Sequence, residues 1–161
     1  MKKILLGFAV MMSAMSSHAA TNTCFKSSQD LVKTLYKNYP LNIDAKDISS
    51  QKPAILTQYF SKQLVNLLVK DQKCAAKIQG ECNLGFNILS NAQDEPEDSQ
   101  IKILQASPKV VTVKINFQPS AQFIDFVMQQ QQGCYLIDDI KYDDHDSLRK
   151  ILSQNEKIKL S

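Results

Sequence analysis

The sequence lacks several features on which common functions depend. It has no tryptophan, only four glycines and a single arginine, Arg149. Neither Gly-x-Ser-x-Gly nor Gly-x-Gly-x-x-Gly occurs, and there is no glycine-rich phosphate loop, so little room is left for a nucleotide cradle. No apolar run reaches the roughly 20 residues that a helix needs to cross a bilayer.

What is present is the composition of a globular protein. Of the 161 residues, 43% are hydrophobic and 22% are charged. These proportions exclude a disordered chain, a collagen-like repeat and a coiled coil. The length accommodates one domain with a substantial hydrophobic core.

The N-terminus has the pattern of a signal peptide over residues 1–19. Two lysines precede an apolar stretch at residues 4–12, and Ser17-His18-Ala19 supplies a small-x-small cleavage pattern. The apolar stretch is too short to span a bilayer. We therefore expect cleavage after this leader and export to the periplasm, which leaves a single domain over residues 20–161.

Removal of the leader changes the charge of the chain. Loss of Lys2 and Lys3 leaves 17 basic against 16 acidic side chains, a net charge of +1 instead of the +3 of the full sequence. The nominal basicity therefore carries no information about nucleic acids. With one arginine in the whole chain, we expect no nucleic-acid partner.

All four cysteines, Cys24, Cys74, Cys82 and Cys134, lie after the leader. An even number of cysteines in an exported chain favours two disulfides over free thiols. Three pairings are open. Cys74 and Cys82 flank a short polar turn, which favours that pair and leaves Cys24 with Cys134. The chain has no Cys-x-x-Cys, and one histidine remains after cleavage, so we expect no zinc site.

Two N-terminal helices and one C-terminal helix are predicted from apolar periodicity. Residues 27–39 repeat apolar positions at helical spacing and end at Pro40. Residues 55–68 form a broad apolar stripe after Pro53, which predicts one long amphipathic helix. Ser147 is expected to cap a final helix that carries Leu148, Ile151 and Leu152.

Between these helices the apolar period changes to two, which is typical of strands. Alternation predicts strands at residues 84–88, 111–117 and 135–142, and a further strand that begins at residue 101. Residues 123–128 fit a helix as well as a strand, and residues 129–133 resemble a turn. The order predicts an α+β domain in which helices cover one face of a curved antiparallel sheet of about four strands.

Nearly the whole of residues 20–161 resembles a known family. Gly133-Cys134-Tyr135-Leu136-Ile137-Asp138-Asp139-Ile140, then Tyr142 and Ser147-Leu148-Arg149, is similar to the C-terminal signature of the domain of unknown function 3828 family. The family usually has tryptophan where Tyr135 stands. Upstream, Tyr59-Phe60-Ser61 and Asn91-Ala92-Gln93-Asp94 resemble two further family elements. The resemblance implies a small exported bacterial protein with a cone-shaped fold like that of nuclear transport factor two, and it implies no activity.

The densest polar cluster is Asp138-Asp139 followed by Asp143-Asp144-His145-Asp146. Calcium loops usually contain a glycine and a later glutamate, which this cluster lacks, so we expect no metal. Acids before a helix start stabilise its positive end, which favours a capping role. In a regular strand Asp138 shares a face with Ile140, and Asp139 shares the opposite face with Ile137.

On a cone fold, one of Asp138 and Asp139 could face the mouth, where some enzymes of this fold use an acid. A salt bridge to Arg149 or Lys150 is the favoured interpretation. Tyr59 is expected in the core, although its helix could also line the cone. Tyr135, Tyr59 and Arg149 join the two acids as candidate pocket or interaction residues.

Three functions are compatible with these features. The first is a non-catalytic periplasmic protein that binds another protein, such as an inhibitor or immunity protein for an envelope enzyme. The alternative is a protein that binds a small apolar ligand in the cone pocket. The third, an enzyme that uses Asp138 or Asp139, is the least favoured, and no cofactor is expected. The acidic segment 94–98 is interpreted as a solvated turn or as a docking edge for a basic partner.

Overall fold

The computed structural model describes residues 23–94, 99–117, 120–143 and 146–154. The predicted signal peptide, most of the acidic segment 94–98, and the pair Asp144 and His145 lie outside these residues.

In the part of the chain that the structure describes, four strands form one antiparallel sheet in the order in which they follow along the chain. They are β1 (Gln100–Ala106), β2 (Val110–Phe117), β3 (Ser120–Gln131) and β4 (Cys134–Tyr142). The α+β class and the four-stranded antiparallel sheet are confirmed, although one of the four predicted strands is not among them.

Within the described residues, four α-helices accompany the sheet. They are α1 (Ser28–Asn38), α2 (Pro53–Leu56), α3 (Lys62–Ile78) and α4 (Leu148–Ser153), with a 3-10 turn at Ile48–Ser50. The hydroxyl of Ser27 caps α1 by accepting from the Asp30 N–H at 3.2 Å, as its position before the apolar repeat predicts. The predicted C-terminal helix is confirmed as α4.

The prediction of one long helix over residues 55–68 is wrong. Helix α2 ends at Leu56, and α3 begins only at Lys62 and continues to Ile78. The interruption arises because the intervening segment pairs with β4: the Ser61 N–H donates to the Ile137 carbonyl, and the Ile137 N–H donates to the Tyr59 carbonyl, both at 2.8 Å. Tyr59 and Phe60 are buried by this pairing rather than by a helix face.

The prediction of a strand at residues 84–88 is also wrong. The segment is a loop with one isolated bridge, between Asn87 and Ala92. Ile88 and Leu89 are both buried, which a half-buried strand with alternating faces does not allow. Two distant tyrosine hydroxyls hold the loop: Tyr36 donates to the Leu89 carbonyl at 2.7 Å, and Tyr142 donates to the Ile88 carbonyl at 3.1 Å.

The ambiguous segment 123–128 is a strand, and it belongs to β3. The strand continues to Gln131, so the turn predicted over residues 129–133 contains only Gln132 and Gly133. Both have positive φ, 52° and 74°, as two-residue hairpin turns of this hand require.

The helices pack on one face of the sheet, where the core lies. Strands β2, β3 and β4 contribute the buried residues Val111, Val113, Ile115, Ile124, Phe126, Ile137 and Ile140. Helices α1 and α3 contribute Leu31, Leu35, Leu64 and Leu68, which are also fully buried. The first half of the outer edge of β4 is covered, because Tyr135 bridges to Phe25 and Ile137 bridges to Phe60.

Two disulfides are present, with the pairing that the sequence favours. Cys24 is bonded to Cys134 and Cys74 is bonded to Cys82. The first joins the start of the described chain to the start of β4, next to the bridge between Phe25 and Tyr135. The second fastens α3 to the loop that follows it. Two disulfides are consistent with an oxidising, extracellular compartment. Within the described ranges, no helix is both long and apolar enough to traverse a bilayer.

Candidate functional site

Arg149 is the centre of a polar cluster that joins three elements. Its Nη1 donates to Asp138 Oδ2 at 2.7 Å, and its Nη2 donates to Gln63 Oε1 at 2.6 Å. Its backbone N–H donates to Asp139 Oδ1 at 2.9 Å. The cluster therefore links α3, α4 and β4. The side chains of Arg149 and Asp138 are 35% and 23% exposed, so solvent screens this ion pair in part.

The two acids meet at Arg149 because β4 contains a bulge. Val127 of β3 lies opposite Asp139 and Met128 lies opposite Ile137, which leaves Asp138 as an extra residue in β4. An extra residue interrupts the alternation of faces. Ile137 and Ile140 are consequently both buried. The regular alternation predicted for Asp138 and Asp139 is therefore wrong.

Asp139 provides the side-chain cap of α4. Ser147 occupies the N-cap position, but its side chain makes no capping hydrogen bond. The Arg149 N–H, in the first turn, instead donates to the Asp139 carboxylate at 2.9 Å. Among the acids before the helix, Asp146 makes an exposed ion pair with Lys150 at 2.6 Å. Among the described residues, the capping role expected of Ser147 therefore belongs to Asp139 on the neighbouring strand, while Asp144 and His145 lie outside the described residues.

Tyr59 and Tyr135 lie in a different region, around Phe25. Tyr59 is buried, accepts a hydrogen bond from Asn38 Nδ2 at 2.7 Å and stacks on the Phe25 ring. Tyr135 is half-buried, and its backbone N–H donates to the Phe25 carbonyl at 2.8 Å. Burial, followed by the charge on Tyr59, raises the pKa of the adjacent Tyr39. The five candidate residues therefore form two structural clusters rather than one pocket.

A cleft of about 430 Å³ opens between the loop after α3 and the start of α4. Its walls include Phe86, Asn91, Gln93, Asp146 and Ile151. Two apolar side chains and several amide and carboxylate groups share this space, which suits a small ligand with one apolar side. Among the residues that the structure describes, no three histidine, cysteine or acidic side chains gather in a metal-binding arrangement.

A surface at the β1 edge combines apolar and cationic side chains. We call it the edge patch, and it consists of Ile101, Lys102, Leu104, Lys114 and Phe123. Lys102 lies directly opposite Lys114, which lies opposite Phe123, so these three side chains form a row across three strands on the face opposite the core, whereas Ile101 lies opposite Ile115 on the core face. Ile101, Leu104 and Phe123 are 37%, 47% and 39% exposed.

The sequence analysis did not single out the edge patch. The pattern that could have revealed it is a lysine between two apolar residues in each of two neighbouring predicted strands. Lys102 lies between Ile101 and Ile103, and Lys114 lies between Val113 and Ile115. That alternation places both lysines on the face opposite the core. Their alignment depends on strand register, which the sequence does not specify.

Comparison of the chain with protein-family models, curated proteins and solved structures gives no match.

Proposed function

We propose that this chain is a non-catalytic protein of the periplasm that binds another protein. A role of this kind is that of an inhibitor or immunity protein for an envelope enzyme. The observation that supports a protein partner is the edge patch, where Ile101, Leu104 and Phe123 remain exposed near the open edge of β1 and Lys102 and Lys114 lie on the face opposite the core. The unpaired backbone groups of an edge strand can pair with another chain, and apolar side chains exposed near that edge add area that a partner can bury.

The roles of the two acids support a non-catalytic function. Asp138 forms an ion pair with Arg149, and Asp139 caps α4 through the Arg149 backbone. A general acid or base needs a pKa adapted to its reaction and access to a substrate. Both acids are instead engaged in holding α4 against β4.

We further propose that the domain is a cone like nuclear transport factor two and a member of the domain of unknown function 3828 family. Two placements support this proposal. The residues of the C-terminal signature, from Gly133 to Ile140, begin at the β3–β4 turn and run along β4. Ser147-Leu148-Arg149 begins α4. Helices on one face of an antiparallel sheet are the layers that such a cone contains.

The protein-binding proposal can be tested by affinity capture with surface variants. The oxidised chain without residues 1–19 would be immobilised and exposed to a periplasmic extract of the bacterium that exports it. Leu104→Asp, which places a charge in the edge patch, is expected to abolish retention of the captured protein. Ile43→Asp is the matched control, because Ile43 is 84% exposed and lies in the connector after α1.

Equal retention by the two variants would contradict the proposal, provided that circular dichroism shows both to be folded. So would a wild-type chain that retains no protein.

The cleft beside Phe86 supports a second candidate function, the binding of a small ligand. Its volume of about 430 Å³ lies in the range of small-molecule sites. Ile151→Asp would place a charge in this cleft and is expected to abolish ligand binding while capture of a protein through the edge patch continues.

A further inference from the structure

The outer edge of β1 offers backbone hydrogen-bonding groups to a partner. β1 is the terminal strand of the sheet, and within residues 23–94, 99–117, 120–143 and 146–154 no other strand pairs with its outer side. At the opposite edge of the sheet, Phe25 and Phe60 bridge to Tyr135 and Ile137 of β4. An edge strand of this kind carries N–H and C=O groups that can pair with another chain.

The charges at this edge are of one sign. Lys102 and Lys114 lie directly opposite each other, and like charges in that position repel. In the part of the chain that the structure describes, neither lysine takes part in an ion pair. The Lys114 ammonium lies 6.0 Å from the centre of the Phe123 ring, a distance at which the cation–π attraction is weak. A carboxylate beside Lys102 would offset the repulsion.

The apolar side chains of β1 alternate with Lys102 along the strand. Ile101 lies opposite the buried Ile115 and Ile103 lies opposite the buried Val113, so both face the core side of the sheet. Ile101 is nevertheless 37% exposed, because none of the described strands covers its outer flank. A strand added beside β1 would bury it if that strand placed apolar residues on the same face.

We propose that the partner inserts an extended acidic segment that pairs with β1 as a fifth strand. Its apolar residues would cover Ile101 and Ile103, and a glutamate or aspartate would lie beside Lys102. Strand addition gains affinity from backbone hydrogen bonds and specificity from alternate side chains. This inference rests on the proposed protein-binding function and identifies the part of the partner that is bound.

A bulge limits the length of the docked segment. Ile103 lies opposite Val113 and Gln105 lies opposite Thr112, so Leu104 is an extra residue in β1. Bulges and lysines on an edge discourage pairing with unrelated strands. The partner segment therefore docks along the regular portion at residues 100–103. An acidic residue in that segment is needed to offset the charge of Lys102.

A second copy of this chain fits the edge less well. β1 itself contains no acidic residue. If two copies paired antiparallel with Lys102 opposite Lys102, four lysines would lie in one row, since each Lys102 already neighbours Lys114. In every other register, Lys102 faces an uncharged residue of β1 and gains no counter-charge.

Binding of a designed peptide tests the inference. The probe is an acetylated and amidated peptide, Thr-Val-Glu-Val-Glu-Val-Thr, titrated into the isotope-labelled, oxidised chain and followed by amide chemical shifts. The shifts are expected at residues 100–103, with slower hydrogen exchange there. Replacing both glutamates of the peptide by lysine should weaken binding by at least about tenfold, because attraction to Lys102 becomes repulsion.

Two charge-reversal variants of the protein serve as a matched pair. Lys102→Glu is expected to weaken binding of the acidic peptide about five- to tenfold. Lys33→Glu, on the exposed side of α1, changes the net charge by the same amount and should leave the affinity within about twofold.

Three results would overturn the inference: equal affinity for the acidic and the lysine peptide, shifts confined to residues outside β1, or a dimer in light scattering whose protected amides are those of β1. The proposed protein-binding function has a separate outcome. If a captured protein depends on Leu104 but no peptide binds, strand addition is wrong while protein binding stands. If peptides bind but no protein is captured, the proposed function fails instead.

Discussion

At the scale of single residues, the polar side chains that attract attention in the sequence have structural partners. Arg149 contacts Asp138 and Gln63 through its guanidinium group, while its backbone contacts Asp139. Tyr142 and Tyr36 use their hydroxyls to hold the loop at Ile88 and Leu89. These contacts join segments that are distant in sequence, and each can be tested by one substitution.

Replacement of Asp139 by alanine should destabilise the protein. Removing a side-chain cap typically costs about 0.5–2 kcal/mol, and the Arg149 N–H would lose its acceptor. Asp146→Ala is the control, because it removes only an exposed ion pair with Lys150, with an expected effect of at most about 0.5 kcal/mol. Urea unfolding measures both changes, and an equal loss in the two variants would contradict the capping role.

Stability should fall at high pH because of Tyr142. Burial, and then the charges of Tyr36, Asp139 and Asp47, raise the pKa of Tyr142 well above the ordinary 10.0. Above pH 10.0 the unfolded chain loses the Tyr142 proton while the folded chain keeps it, so the free energy of unfolding decreases as pH rises. This contribution is fully present below pH 10.0 and is lost progressively above it.

Tyr142→Phe should flatten that decline between pH 9 and about 11, the range around the ordinary tyrosine pKa. The variant also loses the hydrogen bond to the Ile88 carbonyl, so the comparison concerns the slope with pH and not the absolute stability. Denaturant unfolding at several pH values supplies the slopes. Identical slopes in the two proteins would show that Tyr142 ionises alike in the folded and unfolded chains.

At the scale of elements, strand pairing overrides local periodicity at two places. The apolar spacing at Tyr59 and Phe60 fits a helix, yet the segment bridges to Ile137 and separates α2 from α3. A new helix, α3, begins after Ser61, whose hydroxyl caps it by accepting from the Leu64 N–H at 3.2 Å. At β4, an extra residue brings Asp138 and Asp139 together at Arg149.

The two serines before helices should differ in their contributions to stability. Ser61→Ala removes a buried capping hydroxyl from α3 and is expected to cost about 1 kcal/mol. Ser147→Ala should change stability by less than about 0.5 kcal/mol, because Ser147 makes no capping bond to α4. Thermal and urea unfolding of the two variants provide the comparison, and the reverse order would contradict the assigned caps.

The sequence predicts elements well where one periodicity dominates. Val111, Val113 and Ile115 alternate strictly, and β2 lies where that pattern predicts it. It predicts them poorly where burial depends on a distant partner. The loop at Ile88 is held by tyrosine hydroxyls from α1 and β4, and no local pattern encodes those contacts. Register is equally non-local, so the edge patch could not be recognised before Lys102 and Lys114 were found opposite each other.

At the scale of the whole molecule, one disulfide joins distant parts of the chain and the other joins near ones. The bond between Cys24 and Cys134 closes a separation of 110 residues, and that between Cys74 and Cys82 closes 8. The long closure also fixes Phe25 beside β4, which covers one edge of the sheet. Among the described strands, β4 is bridged on its outer side at Tyr135 and Ile137, whereas β1 has no bridge on its outer side.

Removing the long-range disulfide should cost more stability than removing the local one. Loop-closure entropy predicts a loss of about 5 kcal/mol for the Cys24→Ser, Cys134→Ser variant and about 2.5 kcal/mol for Cys74→Ser, Cys82→Ser. Denaturant unfolding of the two double variants gives the difference. A larger loss for the local pair would contradict this assignment.

Amide hydrogen exchange with and without the captured protein tests most directly whether this chain functions through the edge of β1. The proposal predicts that binding slows exchange at residues 100–103 and leaves the cleft around Phe86 and Ile151 unchanged. Unchanged exchange in β1, together with protection around the cleft, would contradict it.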